Sequence, residues 1–161
     1  MKLFLSIFLF LIFSNIPEIS DIRKLYSSMV ISENNAKEFA SKLADITKDN
    51  NKTLVAYKGA SIVILSKYKK EVSDKSKNFK EGAKMVEFAV TSEPNNIEIH
   101  LIRLSIQEKS PKILKYNGNI KEDKKFLLDH YEEQSSTLKT YIKNFILQSK
   151  SFSTAEKQRI N

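Results

Sequence analysis

The residues of this chain that could do chemistry are few. His100 and His130 are the only imidazoles, and there is no cysteine. Without cysteine, disulfide frameworks, thiolate zinc sites, cysteine nucleophiles and lipid attachment to a thiol are excluded. His130 stands beside Asp129, Tyr131 and Glu132, and His100 lies between Glu98 and Arg103. Successive helical positions point away from each other, so Asp129 and His130 do not form a dyad. Zinc needs three or four ligands, and no close-spaced pair such as His-x-x-x-His starts such a set. Nor is there a Gly-x-Ser-x-Gly elbow, a phosphate loop or a dinucleotide fingerprint, and three glycines are little material for one. The expectation is a protein that is not an enzyme, with no metal and no cofactor.

Arg103 is the one basic residue in the apolar stretch Ile97 to Gln107, IEIHLIRLSIQ. One reading makes it a clamp for a carboxylate on a partner peptide, with Arg103, Gln107 and Tyr116 as the candidate partner-binding residues. The favoured reading pairs it inside the fold with Asp123 or Glu98.

The net charge of +8 is unevenly placed. Lys67 to Lys84 holds seven lysines against Glu71, Asp74 and Glu81, and Lys109 to Lys125 holds six against Glu122 and Asp123. Each stretch therefore carries +4, and the remaining residues balance. Neither contains arginine and aromatic interleaving is sparse, so solvated lysine-rich links are favoured over a nucleic-acid surface.

The elements that must position these residues follow from apolar spacing. Met1, Lys2 and the apolar run Leu3 to Phe13 form a secretory-signal pattern over 1–15, shorter than the roughly 20 residues of a membrane span. The expected location is outside the cytoplasm, periplasmic or at the cell envelope. The competing reading keeps the segment as an uncleaved anchor. Beyond it, Ile19, Ile22, Leu25, Tyr26 and Met29 share one helical stripe, with Ser20 as a plausible N-cap. A second helix is expected over Glu33–Lys48 and an all-round apolar one over Thr53–Tyr68, with a strand as competitor for Ser61–Leu65. Lys67–Asn78 reads as a polar link. Phe79, Gly82, Ala83, Val86, Ala89 and Val90 then line the inward face of a helix that ends before Pro94. Asn95 or Asn96 can cap Ile97–Gln107, where strand and helix periods compete and the turn in front favours the helix.

Glu108–Asn119, with Pro111 and Gly118, is a loop whose Ile113, Leu114 and Tyr116 should pack back over a helix end. Helices over Ile120–Glu132 and Thr137–Ser149 complete a domain spanning 19–150. In the tail, 151–161, Ser153 and Glu156 stand at capping-box spacing in a turn expected to fray.

Gly59 on one buried helix, with Gly82, Val86, Ala89 and Pro94 on the next, resembles a tetratricopeptide repeat. The likeness covers one repeat. Val55, Lys58 and Ile62 replace the motif's preferred Trp, Leu and Tyr, and the inter-helix link exceeds the repeat's length. The run EPNNIEIHLIRLSIQ through Pro111, Tyr116 and IKEDKKFL is also similar to a group of small exported proteins of Bacteroidetes-type bacteria, which implies no activity. What the repeat resemblance implies is an all-α fold of about six helices in antiparallel hairpins, a TPR-like right-handed helical stack. Such stacks bind another protein's peptide or helix. The expected function is a non-enzymatic, exported interaction module with a protein or peptide partner. The alternative is a membrane-associated structural protein held by its N-terminal segment and lysine-rich links.

Overall fold

The computed structural model describes residues 16–160. The expected signal segment, 1–15, lies outside the described residues. Among them the chain is all-helical: α1 (Ile19–Ser28), α2 (Glu33–Lys42), α3 (Lys52–Ser66), α4 (Val72–Ser92), α5 (Ile97–Gln107), α6 (Ile120–His130), α7 (Ser136–Gln148) and α8 (Thr154–Gln158), with a 3-10 turn at Lys112–Leu114. No described helix is long and apolar enough to cross a membrane.

Helix starts follow their local chemistry. Ser32, Asn51 and Asn96 each accept hydrogen bonds from backbone N–H groups of the first turn that have no intrahelical partner. Ser20 does not cap α1; Glu18 stands at that position and Ser20 lies within the helix. The α2 helix closes at Lys42, where Lys58 of α3 donates to the carbonyls of Leu43 and Ala44, at 2.9 and 3.0 Å. The expected polar link over Lys67–Asn78 is largely helical, because α4 begins at Val72. Segment Ser61–Leu65, despite its β-branched side chains, is helix.

The pair α3 and α4 forms the most extensive helix contact. They cross at two glycines: a Cβ on Gly59 would stand 2.6 Å from the Gly82 carbonyl oxygen and 2.8 Å from a Val86 methyl. Only glycine lets the two backbones approach so closely. The buried face of α4 is the face its apolar spacing predicts, from Phe79 through Gly82, Ala83, Val86 and Ala89 to Val90.

Every residue of α5 is buried. Its two faces serve two cores. Ile99, Ile102 and Ile106 join the apolar cluster of α1–α4, while Ile97, Leu101 and Leu104 join that of α6–α8. This double burial explains why strand and helix periods compete in its sequence: apolar residues are needed all round. The tail does not fray. Phe152 and Ile160 are buried in the second cluster, and Lys124 of α6 reaches the capping-box Glu156 at 3.0 Å.

Candidate functional site

The polar side chains of α5 do not face solvent; each finds a partner inside the fold. Arg103 Nε and Nη2 donate to the two carboxylate oxygens of Asp123, at 2.9 and 2.6 Å, and Nη1 donates to Glu87 at 3.1 Å. Asp123 is fully buried and Arg103 is 4% exposed. Burial pulls the Arg103 pKa down, but the hydrogen bonds and charge of Asp123, with Glu87 behind them, more than offset this and leave it raised. Glu98 takes a different cation: Arg23 of α1 binds it with two donors at 2.6 Å each, and the Tyr57 hydroxyl donates a third bond at 2.6 Å. Of the two partners expected for Arg103, Asp123 is the one present.

His100 is buried, not partly exposed as an unpaired surface histidine would be. Its ring nitrogens lie 2.6 Å from an Asp123 oxygen and 2.8 Å from the Pro94 carbonyl, and its face stacks on Phe126 at 4.1 Å. A general base needs one ring nitrogen able to reach a substrate proton. Here both are engaged and the ring is covered. Phe126 also contacts His130, with ring centroids 4.4 Å apart. Among the described residues no His, Cys, Asp and Glu side chains cluster as a metal site.

Gln107 and Tyr116 are likewise turned to internal work. Gln107 exchanges two hydrogen bonds with Asn119, at 3.3 and 3.2 Å, which close the base of the loop between α5 and α6. Tyr116 donates to Glu87 at 2.6 Å and sets its ring edge-on to Phe79, 5.7 Å between centroids. Burial and the Glu87 carboxylate push the Tyr116 hydroxyl's pKa up. The structure thus brings Arg103 and Tyr116 together on Glu87, and uses all three candidate residues to hold elements in place.

That anchored loop frames a cavity of about 360 Å³ at the C-terminal end of α5. Its floor is Tyr26, Ala60, Val63, Ile64, Phe79 and Ile106, from α1, α3, α4 and α5. Leu114 packs against the floor's cluster as the loop's apolar residues are expected to. Ile113 does not: it is 86% exposed at the mouth, where Val72 is 79% and Val30 40% exposed. The geometry of the turn forces this, since Pro111 and the 3-10 bonds to Leu114 and Lys115 turn one side chain in and its neighbour out. Lys115 closes the turn in the left-handed region, φ 49°.

Around the mouth stand Lys67, Lys75 and Lys109. The first two come from one lysine-rich segment and the third from the other, so the fold carries segments far apart in sequence to one opening. None of the three pairs with a described carboxylate, and no Asp or Glu lines the cavity. Three of the four serine hydroxyls of the wall are already used: Ser66, Ser105 and Ser110 donate to the carbonyls of Val63, Ile102 and Ile106, and Ser76 is the fourth. Tyr26 also bonds Ser105, setting the partition to an adjoining groove of about 560 Å³ between α1 and α7. The sequence singles out Arg103, Gln107 and Tyr116 as candidate binding residues and favours solvated links for the lysine-rich segments; it does not mark Val30 or Val72. For Val72 the available signal is an isolated valine within a charged stretch.

The chain matches no protein-family model, no curated protein and no solved structure.

Proposed function

We propose that this chain is an exported, non-enzymatic helical module that binds a protein or peptide partner through the lysine-rimmed cavity at the C-terminal end of α5. The observation that carries this reading is the mouth itself. Val30, Val72 and Ile113 are three large apolar side chains held in water around a recess, although the fold has apolar clusters on both sides of α5 to receive them. Contiguous exposed apolar surface rimmed by polar groups is the usual mark of an interaction site.

Rough magnitudes set the class of complex. Burying three such side chains contributes about 5–9 kcal/mol, against at least about 4 kcal/mol for lost rotational and translational freedom. The surplus, at most about 5 kcal/mol, corresponds to a weak, exchangeable complex of roughly 0.2 mM or weaker unless the recess is also filled. Arg103, Gln107 and Tyr116 serve this site indirectly by fixing the loop that carries Ile113 and Lys109.

A photo-crosslinking amino acid at Ile113, with a control at Glu133 on the α6–α7 turn, tests the reading in cells. A discrete protein adduct from position 113, lost on adding Val72→Asp, is expected. Equal labelling from both positions, or none from 113, would overturn it.

A further inference from the structure

Resting on that reading, we infer that the segment entering the cavity is an amphipathic helix with acidic residues flanking its apolar stripe. Three features of the site select this chemistry. The wall offers few free directional partners, because three of its four serines, at 66, 105 and 110, donate to nearby backbone carbonyls and only the Ser76 hydroxyl has no partner among the described residues. An extended peptide placed there would leave backbone groups unsatisfied, whereas a helix arrives with its own bonds made. The rim is wholly cationic: Lys67, Lys75 and Lys109 lack carboxylate partners among the described residues, so glutamates or aspartates beside the stripe meet complementary charge.

Shape supplies the third argument. An apolar hole of about 150 Å³ holds a benzene-sized group. The volume of 360 Å³ therefore receives two large side chains, as a helix presents one turn apart. Val72 and Ile113 project beyond the recess, so the occupant must also cover raised ground. A single hydrocarbon chain sunk in the cavity leaves those side chains in water, and a flat membrane surface covers them but leaves the recess empty. A helix does both.

The test titrates the full chain with a labelled synthetic helix carrying two leucines one turn apart and glutamates on both flanks. Two twins accompany it, one with lysines for the glutamates and one with serines for the leucines. The acidic peptide is expected to bind and both twins to bind at least roughly tenfold more weakly. K67E/K75E/K109E should reduce binding of the acidic peptide by roughly tenfold, three exposed pairs of modest strength each. Added salt should weaken the wild-type complex, since screening acts on rim charges. Ser76→Trp, at a half-buried position of the wall, should block the recess without unfolding the chain, as circular dichroism would verify.

Binding of the lysine twin as tight as the acidic peptide would overturn the inference. So would preference for anionic phospholipid vesicles or laurate over every peptide. Failure of the peptides while the Ile113 crosslink still traps a protein overturns only the acidic-helix chemistry. Failure of both removes the binding reading as well.

Discussion

Along the first two turns of α5, Glu98, His100 and Arg103 each meet a partner within 3 Å, with Arg23, Tyr57 and Asp123 completing the set. At its C-terminal end, Lys67, Lys75 and Lys109 ring an apolar opening and meet no carboxylate among the described residues. The difference lies in solvent. A buried charge without a partner destabilises the fold by several kcal/mol, so the first region must be complete. An exposed lysine keeps its hydration and its cost is near zero, so the second region is free to stay unpaired. One end of the helix is spent on stability and the other keeps its lysines solvated and unpaired among the described residues.

That contrast can be broken most forcefully at Asp123. Asp123→Ala removes the buried partner that Arg103 and His100 share, leaving Arg103 only the more exposed Glu87 and Glu122, and a loss of about 3–5 kcal/mol is expected. For a chain of this length that corresponds to a fall of about 6–20 °C in melting temperature. A change within 2 °C, on the order of experimental scatter, would show that the network does not support the fold. Arg103→Met leaves the buried Asp123 with His100 alone and should cost a similar amount, read by the same calorimetry.

Gly59→Ala comes next. Its methyl meets a backbone carbonyl that cannot rotate away, so overpacking outweighs the gain in helix propensity and a cost of about 1–3 kcal/mol is expected from denaturant unfolding. A stabilised variant would mean that α3 and α4 separate easily.

Alkaline titration sharpens the contrast in another way. Burial, the largest cause at each, raises the pKa of Tyr26, Tyr57, Tyr116 and Tyr141 above the ordinary value of 10.0. The neutral hydroxyl is the form the fold favours. Their contribution is therefore present in full below pH 10 and is lost as pH rises beyond it. Ultraviolet difference spectra should show these four ionising late, together with loss of helix; smooth ionisation near pH 10 in a folded chain would contradict their burial.

The smallest effect belongs to the mouth. K67E/K75E/K109E should change stability by no more than about 0.5 kcal/mol, because no intramolecular pair is lost. A large destabilisation would reveal pairing of these lysines within the fold and erase the distinction between the two ends.

Much of the architecture was legible because burial of one helix face imposes a period. The inward face of α4, the cap at Asn96, and the capping box at Ser153 and Glu156 all follow from residues within one or two turns. The start of α4 was less legible: VSDKSKN carries no apolar stripe, and its helix is an extension of the packed segment that follows. Fraying of the tail was the wrong expectation for the same reason in reverse, since Phe152 and Ile160 find a core only after α6 and α7 are in place.

For the site, the chain's own residues determined that no thiol chemistry exists, that two lysine-rich segments hold the excess charge, and that Arg103 sits in apolar surroundings. Tertiary structure alone decided that Arg103 pairs with Asp123 and Glu98 with Arg23, since charge complementarity permits either assignment and only helix packing fixes distance. It also decided that Ile113 turns outward while Leu114 turns in, and that Lys67, Lys75 and Lys109 stand at one opening. Spacing along a chain records which residues share a helix face; which faces meet, and which are left without a neighbour, depends on how the helices close around α5.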